Sequence, residues 1–209
     1  MPQRWAIRFA IEGDLRFCSH HDMMRAVERT ARRSGLTLRY SQGFNPRPRL
    51  SLVPPRPVGV ATQDDLLVLT LDEPETPERL LEQLNAHTPA GMELLEAREL
   101  TGRGTPRPVR AHYELPLDPP RAEAVRDRVS QLEQQAEWSV QRELGKDGRT
   151  RSIDLRPLVE SLSVGDTGML HAVLAPRRDA WARPGELLGL LGLDERADLA
   201  RMTRCRVEY

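Results

Sequence analysis

The chain has 209 residues, 39% hydrophobic and only 4% aromatic, with 31 basic residues against 31 acidic ones. That length holds one large domain or two small ones with aliphatic cores, and the charge balance excludes a wholly disordered or uniformly polycationic protein. No stretch reaches the ~18 apolar residues of a membrane span, and MPQRWAIRF has no signal-peptide pattern, so a cytoplasmic protein with no membrane partner is expected.

Residues 4–11 alternate, Trp5, Ile7, Phe9 and Ile11 against Arg4, Ala6, Arg8 and Ala10, which predicts a half-buried strand. Ser19 opens a helix. In Ser-His-His-Asp the serine side chain caps the third amide and Asp22 reaches back, a capping box with Asp in place of the usual Glu. Met23, Met24, Val27 and Ala31 follow at helical spacing, and Gly35 stands where a C-terminal glycine ends such a helix. Leu36–Tyr40 predicts a short strand, SQGFNPRPR a Gly/Asn/Pro loop, and Leu50–Val53 a further strand. Leu66–Leu71 is apolar on both faces, the pattern of a central, doubly covered strand. Thr76, with Pro77 at the first helical position, opens a second helix that places Leu80, Leu81 and Leu84 on one side, and Met92–Ala97 predicts a last strand. Strand, helix, strand, strand, helix, strand is the order of a split βαβ, ferredoxin-like module over residues 1–100.

TGRGTPRP, residues 101–108, reads as a linker. Residues 109–209 repeat the order more faintly. Val109–Leu117 predicts a strand and Arg121–Gln135 a helix behind Pro119 and Pro120. Trp138–Glu143 and Arg151–Leu155 predict strands around the turn KDGR, and Met169–Ala175 predicts another. Pro184–Leu191 predicts a short helix and Met202–Val207 the closing strand. The expected fold class is α+β, two tandem ferredoxin-like modules with the second degenerate.

Charge is distributed unevenly along this chain. Residues 1–60 carry 11 arginines against four acids, residues 61–100 two arginines against ten acids, and the remainder is nearly neutral. A strongly basic third can bind a polyanion even when the whole is neutral, because the local field decides. All the basic residues but Lys146 are arginine, a bias that a GC-rich genome produces without selection for function. Arg25, Arg29, Arg32 and Arg33 follow i, i+4, i+7, i+8 spacing and make a guanidinium stripe opposite the Met/Val face of the first helix. Arg39, Arg47, Arg49 and Arg56 add to the same third. Arginine pairs bidentately with phosphate and stacks on bases, which suits RNA. The segment GFNPRPRLSLVPPRP combines Gly43 and Asn45, which permit positive φ, with five prolines that fix it, so it can present Phe44 and Arg47 rigidly.

His20 and His21 invite a catalytic reading, since a histidine beside serine and aspartate can act as general acid or base. Adjacent helical positions point about 100° apart, however, and capping accounts for Ser19 and Asp22 without chemistry. His20 stays open as a cap neighbour, a ligand contact or a catalytic group. His87, His112 and His171 occupy unrelated contexts, and Cys18 and Cys205 lack a CxxC or CxxH neighbour. Free thiols, no metal and no cofactor are expected. Phosphate-loop, dinucleotide and GxSxG motifs are absent.

The stretch GDLRFCSHHDMMRAVERTARRSGLTLRYSQGFNPRPRLSLVPPRPVGV resembles the opening of the radical-SAM-linked protein family, DUF2344. The resemblance is carried by Gly13, Arg16, Phe17, Ser19, His20, Asp22, Arg25, Tyr40, Ser41, Gly43, Phe44, Asn45, Pro46, Pro48 and Arg49. It is looser towards the C-terminus, where IDLRP and ARPGELL resemble later family signatures. Arg47 departs from the pattern, which often has histidine there, and this weakens any general-base role at that position. The resemblance implies a companion of B12-binding radical SAM proteins in a setting that points towards RNA. The chain has no CxxxCxxC cluster motif, so it would be the partner rather than the radical SAM enzyme.

The function expected is therefore an RNA-binding accessory protein in tRNA or rRNA modification or processing. Its candidate contact residues are Arg16, His20, Arg25, Arg29, Arg32, Arg33, Tyr40, Phe44, Asn45, Arg47 and Arg49. Two alternatives stand beside it. One is a metal-independent endoribonuclease-like enzyme using His20, with Tyr40 or Ser41 nearby. The other is a protein-interaction adaptor whose basic third docks on a radical SAM partner.

Overall fold

A computed structural model describes residues 2–102, 104–145, 148–178 and 180–209. Arg103 of the linker, and Lys146 and Asp147 of the KDGR turn, lie outside the described residues. The protein is mixed α/β, and every pairing between its strands given below is antiparallel. It divides into two compact units, Met1–Pro108 with Tyr209, and Val109–Glu208.

In the first unit, β1 (Gln3–Ile11) leads through a 3-10 turn at Gly13–Phe17 into α1 (His20–Arg33). Then come β2 (Leu50–Val53), β3 (Ala61–Leu71), α2 (Pro77–Asn85) and β4 (Met92–Glu99). β1 pairs with β3 on one side and β4 on the other, and β2 pairs with β3, so the neighbours run β4-β1-β3-β2. Trp5, Ile7, Phe9 and Ile11 all face the core, as their alternation predicts, and meet Leu67, Leu69 and Leu71 of β3 there. Met23, Val27 and Ala31 of α1, with Leu80 and Leu84 of α2, close the same core. The opposite face is not bare: Ala6, Leu66 and Val68 form a second small buried group with Leu100 and Tyr209, so β1 is covered more fully than its alternation suggests.

Leu36–Tyr40 does not form the predicted strand. It makes only isolated bridges, Leu38 to Leu71 and Tyr40 to Pro48, because the ladder position beside β3 is taken by β2. Tight approach explains Gly91. Its φ is +84°, and a Cβ there would meet the Glu12 carbonyl oxygen at 2.7 Å, at the point where Glu12 N–H donates to Gly91 O.

In the second unit, β5 (Arg110–Pro116) precedes α3 (Pro119–Glu133). Asp118 caps α3 by accepting from Arg121 N–H, so Pro119 and Pro120 lie inside the helix's first turn rather than before it. β6 (Ser139–Leu144) and β7 (Arg149–Asp154) follow, then β8 (Val159–Val164), β9 (Met169–Leu174), α4 (Pro184–Leu190) and β10 (Thr203–Glu208). The neighbours run β10-β5-β9-β8. β6 and β7 pair with each other as a separate hairpin. The strand beside β9 is VESLSV, a segment that the sequence pattern leaves out. Leu115, Leu132, Leu155, Leu174 and Leu188 are fully buried in this unit, and the Trp138 indole N–H donates to Leu132 O at 2.7 Å. No helix among the described residues is long and apolar enough to cross a membrane.

Candidate functional site

The site is built outward from the start of α1. Ser19 has extended backbone (φ −65°, ψ 162°), and its Oγ accepts from Asp22 N–H at 3.2 Å while donating its own hydrogen to Asp22 Oδ2 at 2.7 Å. One hydroxyl thus satisfies a helix-end donor and a carboxylate together. The Ser19 hydroxyl, reinforced by Arg25 3.9 Å away, holds the Asp22 carboxyl below the usual carboxylate range. Ser19 and Asp22 are therefore both spent on capping.

His20 is half-buried, and its ring meets that of His21 edge-on with centroids 6.3 Å apart. Among the described residues its imidazole has no hydrogen-bond partner, so Ser19, His20 and Asp22 do not form a relay. Burial, then the neighbouring His21 and Arg56 charges, depress its pKa. The ring is consequently neutral at pH 7, a donor and acceptor rather than a cation.

Arg56 is the residue whose importance the sequence does not announce. Its Nη1 donates to Arg16 O at 2.7 Å, Val60 O at 2.6 Å and Pro57 O at 3.3 Å, and its Nη2 reaches Leu15 O and Cys18 O at 3.4 Å. The Leu15, Arg16 and Cys18 carbonyls lie at or just past the end of the 3-10 turn, where backbone donors run short, although Leu15 O also accepts from Cys18 N–H at 3.1 Å. The facing segment is Pro54-Pro55-Arg56-Pro57, whose prolines offer no N–H, so one guanidinium supplies the donors that the backbone cannot. Gly59 N–H adds a bond to Arg16 O at 2.8 Å. The Arg16 side chain folds back on its own turn, Nε to Gly13 O at 2.9 Å. The signal for Arg56 was a lone donor among prolines, indistinguishable in a composition count from any other arginine.

Arg25, Arg29, Arg32 and Arg33 are all exposed along α1, opposite the buried Met23, Val27 and Ala31. Arg25 has the long contact to Asp22; Arg29, Arg32 and Arg33 have no carboxylate partner among the described residues. The loop between α1 and β2 is closed at its base by the Tyr40–Pro48 bridge and by Ser41, whose N–H donates to Arg47 O at 2.8 Å and whose Oγ accepts from Arg47 N–H at 3.1 Å. At its tip, past Gly43 with φ 138°, Phe44 is fully exposed, at 107% of its reference area. Asn45, Arg47 and Arg49, further along the same segment, are also exposed and Tyr40 partly so.

The family described as an uncharacterized protein conserved in bacteria, DUF2344, matches residues 4–184. The chain belongs to DUF2344. No curated protein matches it. Among solved structures, that of an unknown protein from Galdieria sulphuraria is similar at 12% identity over 84% of this chain and 83% of that one, with a TM-score of 0.26.

In this DUF2344 protein the predicted residues fall into three groups. Arg16 and His20 gather around Arg56; Tyr40, Phe44, Asn45, Arg47 and Arg49 share one loop; the four helix arginines share one face. Arg29 and Arg33 also line a small cleft of about 220 Å³ with His87, Thr88 and Pro89. His87 was not legible as a neighbour, being 54 residues beyond Arg33, and Thr30 Oγ1 donating to its carbonyl at 3.0 Å is what ties that loop to α1. In the second unit, burial and Glu114 push the Cys205 thiol up to about 11, which keeps it protonated and unreactive at neutral pH. Among the described residues no group of three His, Cys, Asp or Glu is placed to hold a metal ion.

Proposed function

We propose that this DUF2344 protein is an RNA-binding accessory of a B12-binding radical SAM enzyme, built on two ferredoxin-like modules. The orders β4-β1-β3-β2 and β10-β5-β9-β8 support the architectural part. Each set is antiparallel, with a helix after its first strand and another before its last, and the β6–β7 hairpin is an insertion in the second. The observation that carries the RNA reading is Phe44, an aromatic ring held wholly in solvent on a proline-stiffened loop between arginines. Burial is the ordinary fate of phenylalanine, whereas a presented ring on a loop that also exposes Arg47 is a platform for an unstacked base. The unpaired arginines of α1 supply phosphate contacts. The radical SAM partner rests on the sequence resemblance, and the absence of a cluster motif in the chain makes the protein the companion rather than the enzyme.

Fluorescence anisotropy with labelled single-stranded RNA tests the reading. Affinity is expected to fall steeply with salt, and replacing Arg29, Arg32 and Arg33 together with alanine should flatten the log–log slope by roughly 2, at about 0.7 per single-strand phosphate contact. Phe44→Ala should weaken binding by about tenfold or more while leaving the slope unchanged, since stacking contributes roughly 1–3 kcal/mol per base. Absent or salt-insensitive RNA binding, alongside co-purification of RNA-free protein with a radical SAM protein, would replace this reading with the adaptor.

A further inference from the structure

A second basic site lies on the sheet of the first unit, away from α1. Leu50 and Leu52 of β2 pack into the helix-covered core, so strand alternation turns Arg49 and Ser51 to the opposite face. Val68 and Thr70 of β3 and Arg4 of β1 share that face by the same rule, since Leu67, Leu69 and Trp5 belong to the core. Register then assembles them. Arg4 lies opposite Thr70, and Ser51 opposite Val68. Around Thr70 the backbone is tied on three sides: Arg39 N–H donates to Thr70 O at 2.9 Å, Thr70 N–H to Arg49 O at 3.0 Å, and Arg49 N–H to Arg39 O at 2.7 Å. Three arginines are thereby brought to one threonine.

These residues line a cleft of about 790 Å³, within the roughly 300–1,000 Å³ of small-ligand clefts. Among the described residues no carboxylate lines it. The three guanidinium groups differ in availability. Arg4 donates to the Gly102 and Gly104 carbonyls, and Arg39 pairs with Asp72 at 3.2 Å. Arg49 is exposed and has no carboxylate partner among the described residues. Two arginines are thus fixed in place as walls and the third is free to pair, beside the hydroxyls of Ser51 and Thr70 and over the apolar side of Val68. Arginine forks with adjacent hydroxyls are a phosphate's preferred donors, and a patch of apolar floor accepts a ribose or base.

We infer that this cleft binds the phosphate of a nucleotide, with Arg49 as the pairing group and Ser51 and Thr70 as hydroxyl donors. Only the identity of the phosphate's carrier rests on the RNA reading. The site itself uses none of the α1 arginines.

Two probes separate the possibilities: uridine 5′-monophosphate and a 12-nucleotide oligouridylate, each titrated into the full chain and followed by backbone amide NMR. Both should shift the Arg49, Ser51 and Thr70 amides, and Arg49→Ala should weaken both by about tenfold, the scale of one charge-assisted hydrogen-bonded pair. Thr70→Val, which keeps the side chain's shape, should weaken both by a smaller factor. The triple alanine variant of Arg29, Arg32 and Arg33 should leave the mononucleotide affinity unchanged. Mononucleotide binding without oligonucleotide binding would support the cleft while removing the RNA reading. Oligonucleotide binding that is insensitive to Arg49→Ala, with no mononucleotide shifts in the cleft, would overturn the inference and leave the RNA reading standing.

Discussion

Helix α3 spends its arginines and helix α1 does not. In α3, Arg121 pairs with Asp198, Arg126 donates to Gly165 O at 2.8 Å and Arg128 to Leu190 O at 2.8 Å, so each guanidinium ties the helix to another segment of its own unit, Arg128 to the end of α4. In α1, Arg25 has one long contact at 3.9 Å, and its three companions have no carboxylate partner among the described residues. Like charges at i,i+4 oppose helix formation by about 0.2–0.5 kcal/mol per pair, so the stripe costs α1 a little stability. A count of arginines cannot tell these uses apart. Availability to a ligand is decided by whether a carbonyl or carboxylate has already claimed the fork.

The largest effect expected from this contrast concerns a paired arginine. Arg142 meets Glu186 with its Nε 2.6 Å from Oε1, its Nη2 donates to Trp181 O at 2.9 Å, and both side chains of the ion pair are nearly buried. Arg142→Ala leaves the Glu186 charge enclosed without its partner, and breaking such a pair costs about 3 kcal/mol or more. The triple Arg29, Arg32, Arg33 alanine variant should stay within about 0.5 kcal/mol of the parent, as exposed substitutions do. Urea unfolding of both variants measures this directly. If the triple variant unfolded as early as Arg142→Ala, the division between spent and available arginines would be wrong.

Next in size is the cap that starts the stripe. Ser19→Ala removes both the acceptor for Asp22 N–H and the donor to its carboxylate, and loss of such a cap costs about 1 kcal/mol. Ser19→Asp, which restores an acceptor, should recover part of the loss but place two carboxylates side by side. Far-ultraviolet circular dichroism through a urea transition reports the change. Equal stability of Ser19→Ala and the parent would mean that SHHD is retained for something other than starting the helix.

How far these features could be read from the sequence depends on how local they are. The capped start of α1, its arginine spacing and the Trp5–Ile11 alternation are set within a few residues, so pattern alone places them. Leu36–Tyr40 misleads because its apolar alternation is local while the ladder position is awarded to Leu50–Val53. VESLSV escapes because two serines and a glutamate blunt its alternation, and the neighbouring hairpin strands look better as strands yet pair only with each other. At the site the loop's Phe44 is legible as a presented residue. Arg56 is not, since its role depends on carbonyls about 40 residues earlier in the chain. The same distance effect hides Arg4, Arg39 and Thr70, which share a cleft only through strand register.

The smallest effect concerns His20, which lies beside the most thoroughly spent arginine of the first unit, Arg56. Because burial and neighbouring positive charge depress its pKa below 6.5 in the folded protein, the unfolded chain takes up a proton on acidification before the folded chain does. The sign follows from linkage: stability is unaffected well above pH 6.5 and falls as pH drops through 6.5 towards the folded value. His20→Gln keeps a neutral polar side chain and removes this dependence. Urea midpoints for parent and variant at pH 7.5, 6.5 and 5.5 should therefore diverge only on the acid side, the parent losing ground. Parallel curves would show His20 titrating as it does in the unfolded chain, which requires the imidazole to be fully solvated and clear of His21 and Arg56. His20 would then be free to exchange a proton near neutrality, and the catalytic role that its lack of an orienting partner argues against would have to be tested by turnover.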